Sequence, residues 1–342
     1  MKAMVLHQLA PLEANPEPLR LEDLPMPRPS PGEVILRLLA CGVCHTELDE
    51  IEGRTPPARL PVILGHQAVG IVTQAGEQVR RLRLGDRVGV AWMFSACGEC
   101  RYCRQGYENL CPEFRATGRD ADGGYAEFMR VPEEFAYPIP DVFSPAEAAP
   151  LLCAGAIGYR SLMLTGLQDG ESLGLTGFGA SAHLVLLLAR HLFPASRVFV
   201  FARSPREREF ALSLGAAWTG DTADQAPELL RAVIDTTPAW KPIVEGMSNL
   251  EPGGRMVVNA IRKETGDQDQ LLRLDYPRHL WMEKEIKSVA NVCRQDVRRF
   301  LEVAAAIPIR PQIQEYALEQ ANRALMDVKR GGVPGAKVLR ME

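Results

Sequence analysis

The chain has 342 residues, of which 46% are hydrophobic and 24% charged, and its formal net charge is −4. That length suggests about two domains and the composition is that of an ordinary globular protein. So mild a negative charge gives no electrostatic case for nucleic acid or an anionic membrane as partner.

The opening Met1-Lys2-Ala3-Met4-Val5 lacks the apolar core and cleavage site of a signal peptide. The longest unbroken apolar run, 184–189, falls well short of the roughly 20 residues that span a bilayer. Both observations predict a cytoplasmic protein with no membrane association. In that compartment the eight cysteines point to metal binding or catalysis before a disulfide framework.

Residues 1 to 140 alternate β-branched runs with Pro and Gly, as at 33–39, 69–73 and 86–90, which predicts an antiparallel, barrel-like β domain. A proline-rich connector at 24–32 lies inside it and reads as stiff and extended. From about 155 the texture changes. Strands predicted at 172–176, 197–202, 232–235 and 254–259 alternate with helices at 183–193 and 205–214, the pattern of a parallel sheet covered on both faces. A further helix is predicted at 296–306, and 336–339 reads as a strand returning to the first domain.

Three sets of residues carry chemistry. Cys97, Cys100, Cys103 and Cys111 fall at C-x2-C-x2-C-x7-C, which suits a closed tetrahedral zinc site of four thiolates. An iron–sulfur cluster takes four thiolates too; the polar flanks and lobe-like segment favour structural zinc. The second set is Gly177-Phe-Gly179-Ala180-Ser181-Ala182, lying between a predicted strand and helix. It fits G-x-G-x-x-A, in which the glycines let a pyrophosphate approach the helix N-terminus. Where an NAD site places an acid, the chain has Ala202-Arg203-Ser204, with Arg208 beyond. That leaves room and charge for a 2′-phosphate, so NADP is favoured over NAD. The third set, Cys44, His66 and Cys153, is scattered, and spacing alone does not join it. The Cys41–Cys44 pair by itself reads equally as a redox pair, half a metal site or two packed thiols.

Taken together these motifs resemble the zinc-containing medium-chain alcohol dehydrogenases, over essentially the whole chain and in the family's order. The stretches at 179–183 and 288–291 are similar to those of the bacterial propanol-preferring branch. The resemblance implies an α/β fold with a Rossmann doubly wound parallel-sheet cofactor domain at 155–291. A GroES-like β-rich catalytic domain would be built from 1–154 and 292–342. It implies two zinc ions per chain: a catalytic one on Cys44, His66 and Cys153, and the structural one on the four-cysteine lobe. Thr46 would relay the alcohol proton, with Asp49 where the relay's outer histidine usually stands. His45 would contact the cofactor pyrophosphate, and Trp92 would line a pocket for small primary, and also secondary, alcohols. The implied reaction is reversible oxidation of such alcohols to aldehydes or ketones with hydride transfer to NADP or NAD, in a tetramer or dimer. A catalytically silent or zinc-free quinone or enone reductase-type relative is the alternative. The sequence departs from the family at Gln67, where Glu is usual, at Glu47, where Asp is usual, and at Ala336, where an Arg is often found.

Overall fold

The computed structural model describes residues 1–307, 309–331 and 335–341. These fall into two compact units, Met1–Cys153 with Val292–Glu342, and Ala154–Asn291.

The first unit is a β structure. Its spine is the long strand Glu33–Val43, whose residues Val34, Ile35, Leu36 and Leu38 are fully buried. It pairs antiparallel with Ala68–Ala75 and Phe128–Pro132, and Ala68–Ala75 pairs on with Arg87–Val90 and then Ala136–Pro138. On its other side Ala336–Arg340 adds antiparallel and carries Ile313–Ala317 beside it in parallel. The predicted return of 336–339 is therefore a real pairing, and Lys337 registers against Val43, next to Cys44. A separate three-stranded sheet runs Leu19–Asp23, Lys2–Leu6, Val62–Ile63. Between them lies a core that includes Leu6, Leu36, Ile51, Leu64, Tyr125 and Leu339.

The second unit holds an all-parallel sheet. Among the described residues its six strands lie in the order Trp218–Gly220, Val198–Phe201, Leu173–Thr176, Leu230–Asp235, Leu250–Val258, Glu285–Ser288. The four residues of Leu173–Thr176 and of Val198–Phe201 are all buried, as expected of central parallel strands covered on both faces. Helices Ala182–Leu192, Pro205–Ser213 and Lys241–Met247 form the connections.

One segment reads differently from its sequence. The helical stretch Pro145–Thr165 is 21 residues long with a mean hydropathy of 1.2, long and apolar enough to cross a bilayer, and 72% of its most apolar window is buried within the protein. Pro, Gly, Ser and a lone Glu and Arg break the apolar run in the sequence without breaking the helix. Its burial is that of a core helix.

Candidate active site and metal centres

Cys44 closes the long central strand and caps the helix His45–Ile51 that follows it. Its Sγ accepts the backbone N–H of Thr46 at 3.4 Å. Glu47 completes the cap in both directions. One carboxylate oxygen accepts the Cys44 N–H at 2.8 Å, and the other lies 2.6 Å from His66 Nδ1. Glu47 and His66 are both buried. A carboxylate on Nδ1 fixes the imidazole so that Nε2 is the free ligand atom, and Nε2 faces Cys44 Sγ at 3.8 Å. Cys153 sits in a π-helical turn, Leu151–Gly155, a form of helix that concentrates at functional sites. Its Sγ lies within 4.8 Å of the ligand atoms of both Cys44 and His66. The structure thus joins the three residues that spacing left apart.

His66 owes its place to the turn before it. Gly65 has φ +96°, and a Cβ there would stand 2.4 Å from the Tyr125 ring. Opposite, the segment after Asp122 is laced to this turn, with Gly123 N–H on Ile63 O at 2.7 Å, Gly124 N–H on Gly65 O at 2.8 Å and Tyr125 N–H on Leu64 O at 2.9 Å.

These donors fit zinc. Tetrahedral bonds of about 2.3 Å to sulfur and about 2.0 Å to nitrogen put sulfur and nitrogen about 3.6 Å apart, close to the 3.8 Å found. The electrostatics point the same way. In the metal-free chain the Cys44 thiol is pushed well up by its hydrogen bond with Cys153 and by burial. His66 is held well above its ordinary value, because Glu47 and Cys44 outweigh a burial that opposes the charge. Protons stand where a cation would bind.

The four-cysteine lobe is equally assembled. Cys100 and Cys103 sulfurs are 3.5 Å apart, Cys97 and Cys111 3.5 Å, Cys97 and Cys103 3.9 Å, and all four lie within 4.8 Å of one another. Tetrahedral zinc thiolate edges measure about 3.8 Å. A cluster shares its thiolates among several irons and spreads them further, so this packing suits a single ion. The backbone N–H of Cys103 leads the effects that draw the Cys100 thiol down to about 7, whereas burial pushes Cys103 up to about 12. None of the eight cysteines is in a disulfide.

In the second unit a cavity of about 760 Å³ opens at the carboxyl ends of the parallel strands, lined by Gly177, Gly179, Ala180, Ser181, Ala202 and Arg203. A Cβ on Gly179 would meet nothing within 4 Å, so the backbone there is bare for a diphosphate to approach. The far wall, Thr236 to Ala239 and Glu264 to Asp267, escaped the sequence reading. Ser204 and Arg208 stand outside the lining. Ser204 begins helix Pro205–Ser213, and Arg208 turns back to Ala202 O at 2.9 Å and Asp221 at 3.6 Å.

Residues 30–141 match the alcohol dehydrogenase GroES-like domain. Over 344 residues the sequence is 42% identical to a probable alcohol dehydrogenase, AdhA, of Mycobacterium tuberculosis, covering 99% of this chain and 97% of that one. The chain belongs to the zinc-containing medium-chain alcohol dehydrogenase family. An alcohol dehydrogenase of Geobacillus stearothermophilus is 31% identical over 100% of this chain and 99% of its own. A cinnamyl alcohol dehydrogenase structure from Sorghum bicolor superposes with a TM-score of 0.86 at 26% identity, covering 99% of this chain and 97% of that one. The fold class is that of the family, a GroES-like domain with a Rossmann-type parallel sheet.

The remaining family positions are placed as follows. Thr46 is half-buried in the first turn after Cys44 and His45 is exposed beside it. The Asp49 carboxylate is buried against the Arg54 guanidinium. Trp92 stacks on Phe114 at 4.9 Å under the Arg119 guanidinium, with its buried indole N–H unpartnered among the described residues. Ala336 is the first residue of its strand. The largest omission of the sequence reading was Glu47, which it treated as a longer Asp and which bridges two ligands.

Proposed function

We propose that the protein is a zinc-dependent alcohol dehydrogenase that reversibly oxidises small primary, and also secondary, alcohols to aldehydes or ketones. Membership in the family makes it an oxidoreductase acting on alcohols or aldehydes. The observation that carries the reading is the convergence of Cys44, His66 and Cys153, braced by Glu47.

Bound zinc would supply a Lewis acid that makes an alcohol hydroxyl more acidic, and a nicotinamide the hydride acceptor. The chain's own residues do the rest. Cys44, His66 and Cys153 provide three ligands, the number that leaves a catalytic zinc an open position. Glu47 holds His66 in its ligating tautomer. Thr46 takes the alcohol proton on its hydroxyl, and Asp49, shielded by Arg54, stands where the outer relay group belongs. Trp92 closes one wall against larger substrates. Cys97, Cys100, Cys103 and Cys111 hold a second, structural zinc that takes no part in the reaction.

NADP is the cofactor this reading favours. Ala202 leaves space on the cavity rim, and Arg203 is exposed with no partner among the described residues. The carboxylates of Glu207 and Asp221 on the same rim favour NAD as the second reading, since they would repel a 2′-phosphate. His45 is assigned to the pyrophosphate. Eight cysteines without a disulfide among them suit the reducing cytoplasm. A homo-oligomer, tetramer or dimer, is supported by the edge strand Glu285–Ser288, all four residues of which are exposed.

The test is absorbance of the reduced cofactor with a series of primary and secondary alcohols, run with NAD and NADP separately. Turnover of short primary alcohols, faster with NADP, is expected. No turnover of any alcohol or aldehyde by zinc-loaded protein would overturn the reading.

A further inference from the structure

The helix His45–Ile51 and the residue after it carry four carboxylates, all at least largely buried. Three are answered. Glu47 takes the Cys44 N–H and His66, Asp49 meets Arg54, and Glu52 meets Arg54 and Lys329. The fourth, Glu50, is 1% exposed and neither of its oxygens has a hydrogen-bond partner.

An ionised carboxylate is not kept in such a place without a compensating charge. The charged and titratable groups that act on Glu50 are Glu47 from its own helix, His66 from the loop opposite, Arg119 and Asp120 from the turn that follows Arg115–Ala116, and the uncharged phenol of Tyr125. Arg119 is already spent on Asp120, its Nε 3.0 Å and its Nη2 2.7 Å from that carboxylate. Glu47 and Asp120 repel, and burial together with Glu47 pushes the Glu50 carboxyl well above its ordinary range in the metal-free chain, so that it stays neutral there. What remains is the direction of His66, where three ligand atoms converge. One helical turn separates Glu47 from Glu50, so both present their carboxylates to the same side. The first touches the ligand histidine, and the second feels the charge of that histidine.

We propose that Glu50 is a positioning residue of the metal site, a buried carboxyl with no hydrogen-bond partner that gives up its proton when the dication is bound and whose charge then helps Cys44, His66 and Cys153 retain it. The inference rests on those three residues being a zinc site. Gln67 offers an internal comparison. It follows His66 directly, is 3% exposed, and its amide N–H₂ has no partner. A carboxylate at that position would put a buried anion directly after the ligand histidine in the chain.

The experiment follows release of zinc into an excess of a chromogenic chelator, for the wild type, Glu50→Gln, Glu50→Gln with Gln67→Glu, and Cys44→Ser, with metal-free and zinc-loaded melting curves of each. Glu50→Gln keeps shape and removes charge. It is expected to release one of two zincs about tenfold or more faster, the range that loss of an outer partner gives. It is also expected to melt no lower than wild type when metal-free, and lower when zinc-loaded. Adding Gln67→Glu should restore slow release. Wild-type release from Glu50→Gln, or equal destabilisation of the metal-free and loaded forms, would overturn the proposal. Should Cys44→Ser leave the zinc content unchanged, the metal site itself would be refuted instead, which keeps the two failures apart.

Discussion

Replacing Gly65 by Ala tests how the ligand histidine is positioned. The backbone at Gly65 has φ +96°, and the added Cβ would lie 2.4 and 2.7 Å from two carbons of the Tyr125 ring and 3.0 Å from Cys41 Sγ. Left-handed backbone costs a residue with a Cβ about 1–2 kcal/mol. Tyr125 is fully buried and cannot swing aside, so the overlap adds about 1–3 kcal/mol of overpacking. Gly85 supplies the control, with φ +92° and nothing within 4 Å of its Cβ. Gly85→Ala therefore carries the backbone term alone. Thermal unfolding of the zinc-loaded protein should show Gly65→Ala melting about 4–20 °C below wild type, at about 2–4 °C per kcal/mol for a unit of this size. Gly85→Ala should fall by only about 2–8 °C on the same scale. Because the strain sits one residue before His66, Gly65→Ala should also lose metal, while Gly85→Ala should not. Equal melting temperatures for the two variants, with full metal content in both, would refute the argument that this turn is packed to fix His66.

Three further outcomes are expected. Cys103→Ser should remove one zinc and open residues 97–111 to limited proteolysis, while the zinc lost on Cys44→Ser remains; elemental analysis and peptide mapping check this. Arg203→Ala should raise the KM for NADP about tenfold or more, as loss of a charge-assisted bond implies, and leave that for NAD nearly unchanged; equal weakening would remove Arg203 from the 2′-phosphate. The third concerns acid. Burial works against the Glu52 charge, but Lys329 and Arg54 outweigh it and hold the carboxyl at about 2, against an ordinary 4.5. A carboxyl lowered on folding stabilises the protein above pH 4.5 and loses that contribution as pH falls towards 2. The contribution is at most about 3 kcal/mol. Glu52→Gln should thus flatten the pH dependence of stability between 4.5 and 2, read by unfolding at a series of pH values.

What the sequence disclosed follows from where its signals lie. The four-cysteine lobe and the Gly177–Gly179 turn are local patterns with a fixed chemical purpose, and the structure assembles both. The alternation of strands and helices after 155 was visible for the same reason. Cys44, His66 and Cys153 were invisible as a set without a relative for comparison, because three distant points in the chain meet only through strand pairing and the Gly65 turn. The burial of Glu47 and Glu50 was hidden because acidic residues on a short helix ordinarily face water. Arg208 falls at a plausible sequence distance, yet the first helical turn carries it back to Ala202 and Asp221. The apolar length of Pro145–Thr165 was masked by small residues, which a helix tolerates and a run of large apolar residues does not contain.

The measurement that bears most directly on the central claim is zinc content and alcohol turnover determined together for wild type and Cys44→Ser. Two zincs with turnover in the wild type, and one zinc with a folded but inactive Cys44→Ser, is the predicted result. Full activity in Cys44→Ser, or an active wild type that holds only the zinc of the four-cysteine lobe, would contradict it.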